Sequence, residues 1–161
     1  MTPAAAAARA APATVRRLDG DAPRGDLERL LEMCAEHAAY ERSSFRESGQ
    51  VERWRRHLES GRLRLFFAEI AGEAVGFAAA TLEYSTWDAD EYLHLDCLFL
   101  RPGARGRGAG TRLLEAVAAH AREAGRRQIQ WQTPPWNEKA VAFYRGRGAT
   151  ARPKLRFVLA P

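Results

Sequence analysis

The sequence predicts an α/β chain (α+β in its segregation) with elements in the order β-α-α-β-β-β-α-β-α-β. Three observations carry this. Apolar residues recur with helical period over 26–40 and 111–124. Two strand-like runs, 62–70 and 74–84, meet across Ala71-Gly72-Glu73 as a hairpin. A third strand-like run, 92–100, passes through Pro102-Gly103 into a Gly-rich hexamer that opens a helix. At 161 residues the chain suits one domain with a single sizeable core.

Each element has a local reason. Residues 14–18 read as a short first strand. In the helix over 26–40, Leu27, Leu30, Leu31, Cys34 and Ala38 share a face. A polar connection, 41–49, leads to a helix over 50–60 that Gly61 stops. Residues 85–91 form a loop with Trp87 and three acids. After the Gly-rich hexamer, Leu113, Leu114, Val117, Ala118 and Ala121 make the apolar stripe of the next helix. A strand over 126–133 ends at Pro134-Pro135, a helix covers 137–145, and 154–159 reads as a final strand. Residues 1–13 are Ala/Pro-rich and lack the early charge and apolar centre of a signal peptide, so a disordered tail is expected, with the domain over 14–161.

The hexamer Arg105-Gly106-Arg107-Gly108-Ala109-Gly110 is the most informative stretch. The first N–H groups of a helix have no partner inside it and lie at the positive end of its dipole, where an anion is stabilised. Glycines let a pyrophosphate approach the backbone, and Arg105 and Arg107 can add charge-assisted bonds. Arg-Gly repeats also occur in disordered RNA-binding segments. The chain holds its own control, because Arg-Gly-Arg-Gly-Ala recurs at 145–149. That copy follows a helical run, where Gly146 or Gly148 reads as a helix stop. The first copy precedes one and reads as a phosphate cradle.

The spacing Arg-x-x-Gly-x-Gly resembles the acyl-CoA loop of the GNAT N-acetyltransferase superfamily. Downstream, Asn137-x-x-Ala140-x-x-Phe143-Tyr144, ending in Arg147-Gly148-Ala149, resembles that superfamily's last helix. The resemblance covers roughly the C-terminal half of the chain. It implies a mixed, mostly antiparallel twisted sheet of about six strands with helices on both faces. It also implies acetyl-CoA as cosubstrate, bound through Leu98, Phe99, Leu100, Arg105, Gly106, Arg107, Gly108, Ala109, Gly110, Thr111, Asn137, Ala140, Phe143 and Tyr144. Members of the family are commonly dimers, so a homodimer is an expectation by resemblance. Trp131-Gln132-Thr133, Trp136-Asn137 and Phe143-Tyr144 look like the diamine (spermidine/spermine-type) acetyltransferase branch, as does 34–41.

Acetyl transfer needs an amine that loses a proton, donors for the developing oxyanion, and an acid for the leaving thiolate. By resemblance Tyr144 is that acid; it lies seven residues after Asn137, on the same helical face. Asp96 falls where the diamine branch carries a glutamate proposed as general base, one methylene longer. A second reading has Asp96 hydrogen-bonding backbone in a sheet gap. His94 is a further candidate base, since imidazole titrates near neutrality. Strand alternation places Tyr92, His94, Asp96, Leu98 and Leu100 on one face and Leu93, Leu95, Cys97 and Phe99 on the other. Asn137 reads as a helix N-cap, and by resemblance also holds the pantetheine arm.

Net charge is +5, spread along the chain without a Lys/Arg block longer than two residues, which argues against nucleic acid as partner. The longest apolar run is too short for a membrane span. Cys34 and Cys97 read as reduced, buried thiols of a cytoplasmic protein. The four histidines show no metal-ligand spacing, so no metal is expected. The acceptor is expected to be a small primary amine. Glu36, Glu41, Glu83, Asp88, Asp90 and Glu91 are candidates to line a pocket for a polyamine, and otherwise are solvated surface. Aminoglycosides and a protein amino terminus stay open as acceptors. A non-catalytic acyl-CoA-binding module is the alternative outside enzyme chemistry.

Overall fold

The computed structural model describes residues 11–161. The expected tail therefore lies outside the described residues as far as residue 10, while Ala13 is buried and Ala11 packs beside it. One compact unit ends at Trp131 and a second runs Gln132–Pro161.

The first unit holds a five-stranded sheet in the order β1-β2-β3-β4-β5. Its strands are β1 (Thr14–Leu18), β2 (Leu63–Ile70), β3 (Glu73–Ser85), β4 (Asp90–Leu100) and β5 (Ile129–Gln130). All neighbours are antiparallel except β4 and β5, which are parallel. The β2–β3 hairpin turns on Ala71 and Gly72, with φ of 51° and 80°. Two positive φ values match the right-handed twist of the flanking strands.

Helices α1 (Arg24–Tyr40) and α2 (Gln50–Glu59) cover one face of the sheet, and α3 (Ala109–Glu123) covers the other. Leu27, Leu30 and Met33 of α1 are buried with Leu65, Phe67, Phe77 and Phe99. Ala109, Leu113, Val117 and Ala121 of α3, spaced four apart, are buried with Phe66, Ala78, Leu93 and Leu95. In the second unit, α4 (Glu138–Arg145) starts at Asn137, whose Oδ1 accepts from the Ala140 N–H at 3.3 Å.

Three expectations need correction. The final strand over 154–159 does not form, so the described sheet has five strands rather than about six. Leu155, Phe157, Val158 and Leu159 are 84–88% exposed. Strand-like composition supplies no ladder, and a strand without a neighbour is not stable in water. The strand expected over 126–133 is reduced to β5, which pairs only Leu93↔Ile129 and His94↔Gln130.

The third correction concerns the faces of β4. Ala79 pairs with Cys97 while Ala80 pairs with Leu95, so Asp96 is an extra residue in the ladder, a β-bulge. Alternation resets there. Leu93, Leu95, Leu98 and Leu100 face α3, whereas Cys97 and Phe99 face α1 and α2. The β4–β5 ladder stops two residues before the bulge, which bends β4 and breaks the pairing rhythm.

Candidate functional site

In the first unit the candidate residues gather at the bulge and at the loop after β4. The Asp96 side chain is 58% exposed, and its Oδ1 lies 3.9 Å from His94 Nε2. Its Oδ2 accepts from the Cys97 thiol at 3.6 Å. Burial pushes the Cys97 thiol far up, with the charge of Asp96 adding to it, so Cys97 stays protonated and is a poor nucleophile. Phe99 is buried, with His37 stacked on its ring at 5.3 Å, so only its main chain is left to meet a ligand. Leu98 and Leu100 are half-buried on the α3 side.

A short 3₁₀ turn, Pro102–Ala104, leads to the Gly-rich loop. Gly106 and Gly108 have φ of 74° and 78°, and a Cβ on either would meet nothing within 4 Å. Both glycines are thus required by the backbone, and the space beside them is open. Gly108 caps α3 without a side-chain bond, and the ladder of α3 begins with the Arg112 N–H donating to the Gly108 carbonyl at 3.1 Å. Ala109 and Gly110 are buried, and Thr111 is half-buried in the first turn. A helix start that opens behind two exposed glycines, Gly106 and Gly108, is a fitting seat for a pyrophosphate.

The two loop arginines are partly engaged within the protein. Arg105 Nε donates to the Leu100 carbonyl at 3.0 Å, and its guanidinium lies 4.5 Å from the Tyr40 ring centroid. Arg107 donates to the Ala11 carbonyl at 3.2 Å. In the sequence Tyr40 stood out only as part of 34–41, by resemblance, and nothing there linked it to the loop.

The register also sorts the acids proposed for a cation pocket. Glu83 pairs with Tyr92 and Thr81 with His94, so these four share the sheet face of His94. Glu36 is held by Arg101 at 2.8 Å, Glu91 by Arg126 at 2.8 Å, and Glu41 lies 3.3 Å from His37. Asp88 accepts from the Ser85 hydroxyl at 2.6 Å. Ser85, Asp88, Asp90, Glu91, Tyr92, Arg127 and Gln128 line a pocket of about 210 Å³, so its acids share it with an arginine.

In the second unit Tyr144 is half-buried, its ring edge-on to Phe143 at 5.2 Å. The Arg147 guanidinium lies over the Phe143 ring, 4.1 Å from its centroid. Gly148, at φ 82°, ends α4, and the Ala149 N–H donates to the Tyr144 carbonyl at 3.2 Å. The second Arg-Gly copy is a helix terminator, as its position predicts. Among the described residues no group of three or more His, Cys, Asp or Glu could hold a metal ion, and no helix is long and apolar enough to cross a membrane.

Comparison with known proteins agrees with this architecture. The chain is 32% identical over 117 residues to a thialysine N-epsilon-acetyltransferase of Caenorhabditis elegans, covering 73% of this chain and 72% of that one. A protein of the same name from Sus scrofa is 31% identical over 139 residues, covering 80% and 81%. The fold matches an aminoglycoside N-acetyltransferase, AAC(6')-Iy, solved in complex with CoA, with a TM-score of 0.77 at 20% identity over 99% of both chains. A model of the acetyltransferase (GNAT) family matches residues 26–149. The chain belongs to the acetyltransferase (GNAT) family and is an N-acetyltransferase.

Proposed function

We propose that this protein moves the acetyl group of acetyl-CoA to the primary amine of a small molecule by direct attack in a ternary complex. The carrying observation is the open face over Gly106 and Gly108 at the start of α3, a seat for the cosubstrate's pyrophosphate. Main-chain groups of β4 around Leu98 and Leu100, beyond the point where β5 leaves the ladder, are assigned to the pantetheine arm. In the second unit, Asn137, Ala140 and Phe143 are assigned to the cosubstrate as well.

The chemistry then follows. The amine nitrogen attacks the thioester carbonyl carbon, forming the C–N bond. Its surplus proton leaves to the Asp96–His94 pair, directly or through water. The C–S bond breaks as the tetrahedral intermediate collapses, and the CoA sulfur takes a proton from Tyr144. The products are an acetamide and free CoA. No step passes through a cysteine, in keeping with the protonated state of Cys97.

For the acceptor, the relatives named thialysine N-epsilon-acetyltransferases support an amine on a short flexible chain. Glu83 of β3 and Tyr92 of β4, on the His94 face of that strand pair, are assigned to a second cationic group of that acceptor. The test is CoA thiol release across polyamines, short diamines, lysine analogues including thialysine, aminoglycosides and amino-terminal peptides. Saturable release with a small diamine or lysine analogue supports the reading. Release confined to amino-terminal peptides, or acetyl-CoA binding with no release, overturns it.

A further inference from the structure

Three residues of α1 stand one helical turn apart on a single face: Glu32, Glu36 and Tyr40. All three meet arginines that bracket the turn before the Gly-rich loop. Arg101 Nε donates to both oxygens of Glu36, at 3.0 and 3.1 Å, and its terminal nitrogen reaches Glu36 at 2.8 Å and Glu32 at 3.7 Å. Arg105 places its guanidinium over the Tyr40 ring while Nε holds the Leu100 carbonyl. Between them, the Ala104 N–H donates to the Arg101 carbonyl and the Arg105 N–H to the Pro102 carbonyl. The turn is therefore clamped at both ends to α1, and Gly106 follows immediately.

We propose that Tyr40 and Glu36 are positioning residues for the cosubstrate: the ladder on α1 holds the Gly-rich loop in its binding shape before acetyl-CoA arrives. A short loop with two left-handed glycines has many conformations when unrestrained, and ordering it on binding costs affinity. The Tyr40 ring fixes the guanidinium of Arg105 by its face, a contact that is directional and needs no hydroxyl. The bidentate Glu36–Arg101 pair fixes the other end. The ladder thus acts on affinity for the phosphate-bearing cosubstrate, not on the acetyl transfer step.

This inference rests on the loop being the pyrophosphate seat, and the experiment separates the two. Acetyl-CoA binding is measured by calorimetry, and kcat at saturating acetyl-CoA with the best amine of the panel, for wild type, Tyr40→Ala, Tyr40→Leu, Tyr40→Phe and Gly108→Val. Thermal midpoints without ligand check that each variant folds. Tyr40→Ala and Tyr40→Leu should weaken acetyl-CoA binding about ten-fold with kcat unchanged, and Tyr40→Phe should bind as wild type. Tyr40→Leu keeps the bulk of the side chain, so it stands in if Tyr40→Ala fails to fold. Wild-type affinity in folded Tyr40→Leu, alongside weakened Gly108→Val, overturns the ladder and leaves the loop. Wild-type affinity in both overturns the loop reading itself. Tyr40→Phe binding as weakly as Tyr40→Leu overturns the role of the ring face.

Discussion

Leu95 and Cys97 are two residues apart in one strand yet lie on opposite faces of the sheet. Leu95 packs toward α3 opposite Ala80, and Cys97 packs toward α1 opposite Ala79. Asp96 is the residue inserted between them. A bulge re-aims the side chain it carries, and here it turns a carboxylate out beside His94 at the point where the β4–β5 ladder has ended.

Asp96 should therefore matter to proton removal and little to the fold. Asp96→Asn is expected to lower kcat/KM for the amine about a hundred-fold while acetyl-CoA affinity stays at the wild-type level. His94→Gln should act in the same direction with a smaller effect. Unchanged kcat/KM in both single variants and in the double variant would place the base elsewhere.

Tyr144→Phe removes one hydroxyl and keeps the ring against Phe143. Turnover should fall by about two orders of magnitude with acetyl-CoA affinity preserved. A variant that turns over normally would show that the leaving thiolate draws its proton from another source.

Gly106→Val and Gly108→Val each force a branched side chain into the left-handed region, at φ 74° and 78°. The strain should destabilise the chain by about 1–2 kcal/mol per site, read as a lower thermal midpoint. Acetyl-CoA affinity should fall as the loop changes shape. Gly110→Val acts differently, since Gly110 is buried inside α3, and should cost mainly packing.

Both cysteines are expected to be slow to alkylate in the folded protein. Burial, helped by the charge of Asp96, pushes Cys34 up to about 12 from 9.0. The unfolded thiol ionises first. Stability from this source is therefore complete below pH 9.0 and lost as pH climbs toward 12. Iodoacetamide at pH 8 should label unfolded chain readily and native chain slowly, and Cys97→Ala should retain activity. Loss of activity in Cys97→Ala with normal substrate binding would point to an acyl-enzyme route.

His120 on α3 gives a sign in the acid direction. Burial lowers its pKa, with Arg64 and Arg17 adding to the effect against Glu123 and Asp19. Its Nδ1 is buried without a hydrogen-bond partner, and its ring lies 6.2 Å from Phe66. The folded state resists protonating it, so its stabilising share is present above the unfolded value of 6.5 and lost as pH falls through the folded one. His120→Phe should raise the thermal midpoint more at pH 5 than at pH 8. An equal shift at both would assign the gain to packing alone.

The loop, the order of elements and the two Arg-Gly copies were legible in sequence because each is local. Gly106 and Gly108 are needed for φ values the chain adopts over a few residues, and helical period marks α1 and α3 within one window. Asn137 as a cap and a stop at Gly146 or Gly148 follow from the same short-range rules. The expected strand over 154–159 failed for the opposite reason: its composition is local, but a strand exists only through a partner.

The amino-acid sequence by itself determined the order of the elements as far as the last helix, the glycine loop that opens α3 and the resemblance to the acetyltransferase family. Only the tertiary structure decided that Asp96 is a bulge, that Cys97 and Leu98 exchange faces, and that Tyr40 reaches Arg105. These are properties of register and of contacts between residues distant in the chain. A one-residue insertion in a ladder inverts every side chain beyond it, and no local pattern in β4 announces which residue the neighbouring strand will skip.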